Sequence, residues 1–154
     1  MEEKERKKII LSAIHEAHKA FDADEVPIGA VVFHSQTGRI ITKAHNLVEK
    51  NKNPLKHAEI QAIEKSLKKI NSKFLDGYSL FVTVEPCVMC AGAIAWARLD
   101  AVYYGAKDPK TGAIEQGAKV FTHSQTHHKL KIQLWPNLEC GSLMTTFFKR
   151  KRQK

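Results

Sequence analysis

Apolar residues recur with two different periods along the chain, and the switches between them mark out its elements. Near the start Ile10, Ile14, Ala17 and Phe21 fall three or four apart, which predicts an amphipathic helix over about residues 3–21 with one face laid on a sheet. From Val26 to His34 the run is continuously apolar and rich in β-branched residues, Ser35-Gln36-Thr37-Gly38 is a turn, and residues 39–44 return as a second strand. This is the pattern of a β-hairpin with Pro27 at its beginning. Gly29 there either lets another backbone or a ligand come close or reflects ordinary sheet packing. After Asn51-Lys52-Asn53-Pro54 the helical period returns at Ile60, Ile63, Leu67 and Ile70, which predicts a helix over residues 55–70 with His57 in its first turn.

Asp76-Gly77 is the next turn, and residues 78–84 show too little polar alternation for a strand with one wet face. That strand runs directly into Glu85-Pro86-Cys87. Pro86 opens a predicted helix to about Arg98, and residues 101–104 follow as a strand. Strand, helix and strand in so short a span predict a right-handed parallel crossover. Residues 108–112 read as loop, the stretch to His128 is weakly patterned, Leu130, Ile132 and Leu134 alternate as a last short strand, and residues 138–152 close the chain as a helix. With no repeat and no linker, the expectation is one domain over residues 1–154, of α/β class, its strands in a mixed sheet with helices on both faces.

A length of 154 residues with 43% apolar and 27% charged residues suits such a domain and excludes a disordered or fibrous chain. The first eight residues, Met1 to Lys8, hold no apolar core for a secretion signal, and nowhere do eighteen apolar residues run together, so a cytoplasmic protein without a membrane partner is expected. In a reducing compartment three cysteines point to metal or catalysis before disulfides. The net charge of +9 is concentrated at the end, where Lys149 to Lys154 carry five cations and no acid. Such an end matches a polyanion, or serves as a solvated helix terminus whose cations favour the negative end of the dipole.

Two short motifs carry chemistry. His57-Ala58-Glu59 is followed about thirty residues later by Pro86-Cys87-Val88-Met89-Cys90, which together offer three zinc ligands, His57, Cys87 and Cys90, and a carboxylate, Glu59, able to move protons at the metal. Cys87 and Cys90 share one face of a helix, and its N-terminal dipole favours the thiolates that zinc requires. Residues two apart in mid-helix point to nearly opposite sides, so His57 and Glu59 converge only where helical geometry is just beginning. Three protein ligands leave a fourth position for water, the mark of a catalytic site, and a nearby base such as Glu59 would take that water's proton. Alternatives are a thioredoxin-like dithiol, which has no use for His57 and Glu59, and a structural zinc, which needs a fourth ligand. Cys140, in the last helix, reads as a small buried apolar residue. His15 and His18, three apart on the first helix, read as solvated.

On these motifs the chain resembles the cytidine-deaminase-like zinc deaminases, whose signature is His-x-Glu followed by Pro-Cys-x-x-Cys, and within them the branch that acts on adenosine in tRNA. The similarity also covers Glu25 to Val31, Val82 to Ala93, Gly105 to Asp108, Lys110 to Ala113 and the closing Phe147-Phe148 with its basic residues. It implies a three-layer α/β/α fold on a five-stranded mixed sheet, one Zn2+ per chain, a homodimer, and hydrolytic conversion of adenosine to inosine at the wobble position of a tRNA anticodon loop, arginine tRNA foremost. A free-base or nucleoside deaminase for guanine or cytosine has the same motifs. The resemblance further implies that Asn46 meets the target nucleotide, that Ala58 and Val84 lend backbone groups to the base pocket, that Asp108 meets a neighbouring sugar, that Phe148 meets a splayed base, and that Arg150 and Arg152 face phosphates. Pro109, Ile114-Glu115-Gln116-Gly117 and Thr145-Thr146 depart from the pattern of that branch.

Overall fold

A computed structural model describes residues 1–122, 128 and 130–153. In chain order the elements are α1 (Glu3–Asp22), β1 (Gly29–His34), β2 (Ile40–His45), α2 (Ala58–Ile70), β3 (Tyr78–Val82), α3 (Val88–Trp96), β4 (Ala101–Tyr104), a 3-10 turn at Val120–Thr122, β5 (Lys131–Leu134) and α4 (Leu138–Arg152). The strands form one five-stranded sheet in the order β2-β1-β3-β4-β5. β1 pairs antiparallel with β2 and β3, and the β3-α3-β4 crossover makes the β3–β4 pair parallel, as does β4–β5.

Period-two alternation within the strands sorts side chains onto two faces. Ala30, Val32, Leu80, Val82, Val102 and Tyr104 lie on the side covered by α2 and α3, in a core with Ala58, Ala62, Ile63, Ala91 and Ile94. Val31, Phe33, Phe81 and Tyr103 point the other way, to Ile9 and Ala13 of α1 and to Trp135. α4 adds Cys140 and Leu143 against Ile14 and Ala17. The result is the expected three-layer mixed sheet, and its continuous apolar strands are the ones buried on both faces.

Several element ends differ from expectation, each for a backbone reason. β1 begins at Gly29 rather than Val26, because Pro27 has no N–H to give a ladder and the Ile28 N–H turns back to Val26 O at 2.8 Å. α2 begins at Ala58 rather than residue 55, and His57 caps it with extended backbone; the turns before it are closed by Asn53, whose Oδ1 accepts the Leu55 N–H. α3 is shorter than residues 86–98, with Cys87 rather than Pro86 at its cap. Of the weakly patterned stretch before His128, residues 123–127 fall outside the described residues, as do Lys129 and Lys154.

Gly29 decides how α1 lies on the sheet. A Cβ there would fall 2.0 Å from Ala13 O and 2.8 Å from Ala17 N, so the glycine admits the helix backbone itself. Of the two roles open to it, close backbone approach is the one realised.

Candidate active site

Two helix N-termini meet beyond the ends of β2 and β3. His57 caps α2 and Cys87 caps α3, both with extended backbone, which puts Glu59 and Cys90 in the first turns of their helices. His57 Nδ1 stands 3.7 Å from Cys87 Sγ and 3.5 Å from Cys90 Sγ. The ligand atoms of the three residues lie within 4.8 Å of one another, and they form the one such group among the described residues. A tetrahedral zinc with bonds of about 2.05 Å to nitrogen and about 2.3 Å to sulfur separates such atoms by about 3.6 Å. The observed spacings fit.

The protonation equilibria fit as well. Cys90 hydrogen-bonds Cys87 and draws its thiol down to about 4, with His57 assisting. Cys90 is pushed up, first by Cys87 and then by burial, while His57 is held above the usual imidazole range by the Cys87 hydrogen bond. Two adjacent thiolates repel, so both ionise together only against a cation. Cys140 is fully buried among apolar neighbours, and burial raises its thiol to about 12, which is the expected inert packing role.

Glu59 is 3% exposed, and its Oε1 is the buried side-chain polar atom without a hydrogen-bond partner among the described residues. Burial raises its carboxyl to about 7, with Cys87 adding to the shift. An orphaned buried oxygen beside three atoms placed to hold a metal ion is a group kept for something that enters the site.

The structure joins Asn46 and Ala58. The Ala58 N–H donates to Asn46 Oδ1 at 2.8 Å, both residues being buried. The bond engages the Ala58 N–H inside the protein and fixes the Asn46 amide with its NH2 left as donor. Val84 is buried two residues beyond the end of β3. Asp108 is half-buried, and its carboxylate accepts the Lys110 and Thr111 N–H groups at 3.0 and 3.1 Å and the Thr111 hydroxyl at 2.7 Å. Phe148 is 41% exposed on α4, whereas Phe147 is core. Arg150 lies 4.9 Å over the Phe21 ring, and Arg152 is exposed. Among the described residues no hydrogen bond or ion pair ties these three α4 side chains to the metal-ligating group. His15 is exposed as expected, but His18 pairs with Glu139 at 2.6 Å and helps join α1 to α4.

Four buried polar residues had no role in the motif reading. Glu25 accepts the Glu49 and Lys50 N–H groups and pins the tip of the loop between β2 and α2. Gln61 Nε2 donates to His45 O at 2.7 Å and to Lys56 O at 3.2 Å, closing the base of the same loop, and Glu16 holds the His45 ring at 3.0 Å. Burial works to raise the Glu16 carboxyl, but Lys19 and His45 outweigh it and hold the group below the ordinary value. Glu85 accepts four backbone N–H groups from the loop after β4. The only signal for it in the sequence is an acid closing a run as apolar as residues 78–84.

Residues 4–152 match the family model of MafB19-like deaminases. A tRNA-specific adenosine deaminase of Aquifex aeolicus (strain VF5) is 39% identical over 140 residues, covering 91% of each chain. A solved structure from work on A-to-I editing by tRNA:A34 deaminases at the wobble position of transfer RNA superposes with a TM-score of 0.81 at 40% identity, covering 84% of this chain and 98% of that one. A guanine deaminase of Bacillus subtilis is also similar, at 35% identity and a TM-score of 0.61, over 70% of this chain and 66% of its own.

Proposed function

The chain belongs to the MafB19-like deaminase family and to the tRNA-specific adenosine deaminases, and from that premise we propose that it hydrolyses adenosine to inosine at the wobble position of a tRNA anticodon loop, arginine tRNA foremost. The observation that carries the reaction is the buried Glu59 carboxylate, its Oε1 without a partner, beside His57, Cys87 and Cys90. Those three residues would hold one Zn2+ per chain. Bound there, zinc acts as a Lewis acid that makes a water nucleophilic at neutral pH.

Glu59 does the proton work. Near neutrality its carboxylate accepts a proton from the attacking water, passes it to the adenine ring nitrogen as oxygen adds to the carbon bearing the amine, and delivers a proton to that amine as it leaves as ammonia. Oxygen enters from water and nitrogen leaves, so no oxidant or reductant takes part. Asn46, oriented by the Ala58 N–H, donates its NH2 to the target nucleotide. Ala58 and Val84 wall the base pocket, and Asp108 meets the neighbouring sugar. Phe148 stacks on a splayed base, and Arg150 and Arg152 meet phosphates.

The domain spans residues 1–154 and works in the cytoplasm, where its substrate lies; no described helix is long and apolar enough to cross a membrane. α3 is apolar along its length yet leaves Val88, beside the site, 56% exposed and Trp96, at its far end, 70% exposed. That face supports a homodimer.

A free-base or nucleoside deaminase is the competing reading, and the guanine deaminase match over less of the chain makes it the weaker one. Incubation of the purified protein with total tRNA separates the two: adenosine-to-inosine change at anticodon positions is expected, with a rate that falls steeply as salt rises. Equal, salt-insensitive turnover of free bases would sink the tRNA assignment.

A further inference from the structure

We infer that Glu85 is a positioning residue that locks the loop bearing Asp108 to the Cys87 arm of the site, and thereby sets the affinity for the RNA rather than the rate of the chemical step. The inference rests on the tRNA reading above. Glu85 directly precedes Pro86-Cys87 and is 3% exposed. Its Oε1 accepts the Asp108 N–H at 3.1 Å, and its Oε2 accepts those of Ile114, Glu115 and Gln116 at 3.0, 2.9 and 3.1 Å. The backbones are strapped together as well, the Glu85 N–H donating to Ala106 O at 2.8 Å and the Ala113 N–H to Pro86 O at 2.9 Å.

Four donors converging on two buried oxygens require a carboxylate. An amide has one acceptor oxygen, and its NH2 would face a donor. The loop also depends on Gly112, where a Cβ would fall 2.5 Å from both the Glu85 carboxyl carbon and Asp108 O. A second latch uses a residue that departs from the pattern of the tRNA-acting branch: the Glu115 carboxylate accepts the hydroxyl of fully buried Tyr104 and pairs with Lys107 Nζ at 3.0 Å. The Asp108 side chain is held by the loop's own Lys110 and Thr111. Its position therefore follows the loop backbone, and the loop backbone follows Glu85. Nothing in this chain of contacts touches Glu59.

The test compares wild type, Glu85→Gln, Gly112→Ala and the double variant on a synthetic anticodon stem-loop RNA with adenosine at the wobble position. Charge-assisted bonds of this kind are strong enough that their loss should raise KM about tenfold or more in each single variant, with kcat within about threefold of wild type. One zinc per chain should remain, and amide hydrogen exchange at residues 108 and 114–116 should quicken. The double variant should be no worse than the worse single one, because both changes break the same cradle. Unchanged KM in both single variants would overturn the inference, and so would loss of zinc and kcat at constant KM. Gly112→Ala leaves the strand end intact and decides the matter if Glu85→Gln does not fold. If the wild type makes no inosine in RNA, the proposed function fails instead, and exchange at residues 108 and 114–116 alone judges the cradle, unchanged exchange overturning it.

Discussion

Glu59 shows how far residue types and spacing reach. Its place two residues after His57 made it the candidate base, yet only the fold supplies the burial that leaves Oε1 unpartnered and moves the carboxyl to about 7. Glu59→Gln keeps the volume and removes the base, so single-turnover inosine formation should fall by roughly 100-fold or more while metal analysis still finds zinc; undiminished turnover would refute the proton-transfer role. The three ligand residues were legible for the same reason, since a metal dictates donor type and helical periodicity dictates their spacing. Glu85 and Gln61 were not legible. Each acts on backbone groups, Glu85 on residues 108–116 and Gln61 on His45 and Lys56, and a backbone N–H or C=O looks the same in every residue.

At the scale of elements, the sequence located the four helices and five strands of the described residues, most of them from apolar periodicity, because burial of a face requires it, and α3 from Pro86. Ends were less legible. α2 and α3 start at Ala58 and Val88 because the capping residues His57 and Cys87 keep extended backbone, and this offset from expectation is what turns the His57, Glu59, Cys87 and Cys90 side chains toward one another. The seat of α1 on β1 depends on one missing methyl group. Gly29→Ala would place a Cβ 2.0 Å from Ala13 O, and overpacking against backbone should cost about 3 kcal/mol, the upper part of the usual range. A lower urea midpoint at unchanged m-value checks it; equal stability would mean that α1 has room to shift.

For the whole molecule, charge and exposed apolar surface point outward to partners. Lys149, Arg150, Lys151 and Arg152 crowd the last turn of α4. Lys151 is pinned by Asp24 at 2.7 Å, whereas Arg150 lies over the Phe21 ring. The exposed Val88 on α3 should be covered by a second copy. Sedimentation at micromolar concentration should return twice the chain mass of 17.4 kDa, and Val88→Glu should shift the species toward monomer; a wild-type monomer would remove the dimer. The sequence by itself determined the candidate metal ligands, the candidate base, the layer order of the fold and the excess of cations, because donor chemistry, periodicity and charge are local properties of residues. Only the tertiary structure decided that the Ala58 N–H belongs to Asn46, that Asp108 is held by its own loop, and that the loop is held by Glu85. Those outcomes depend on which distant backbone groups are buried together, and buried donors must take whatever acceptor the fold brings within reach.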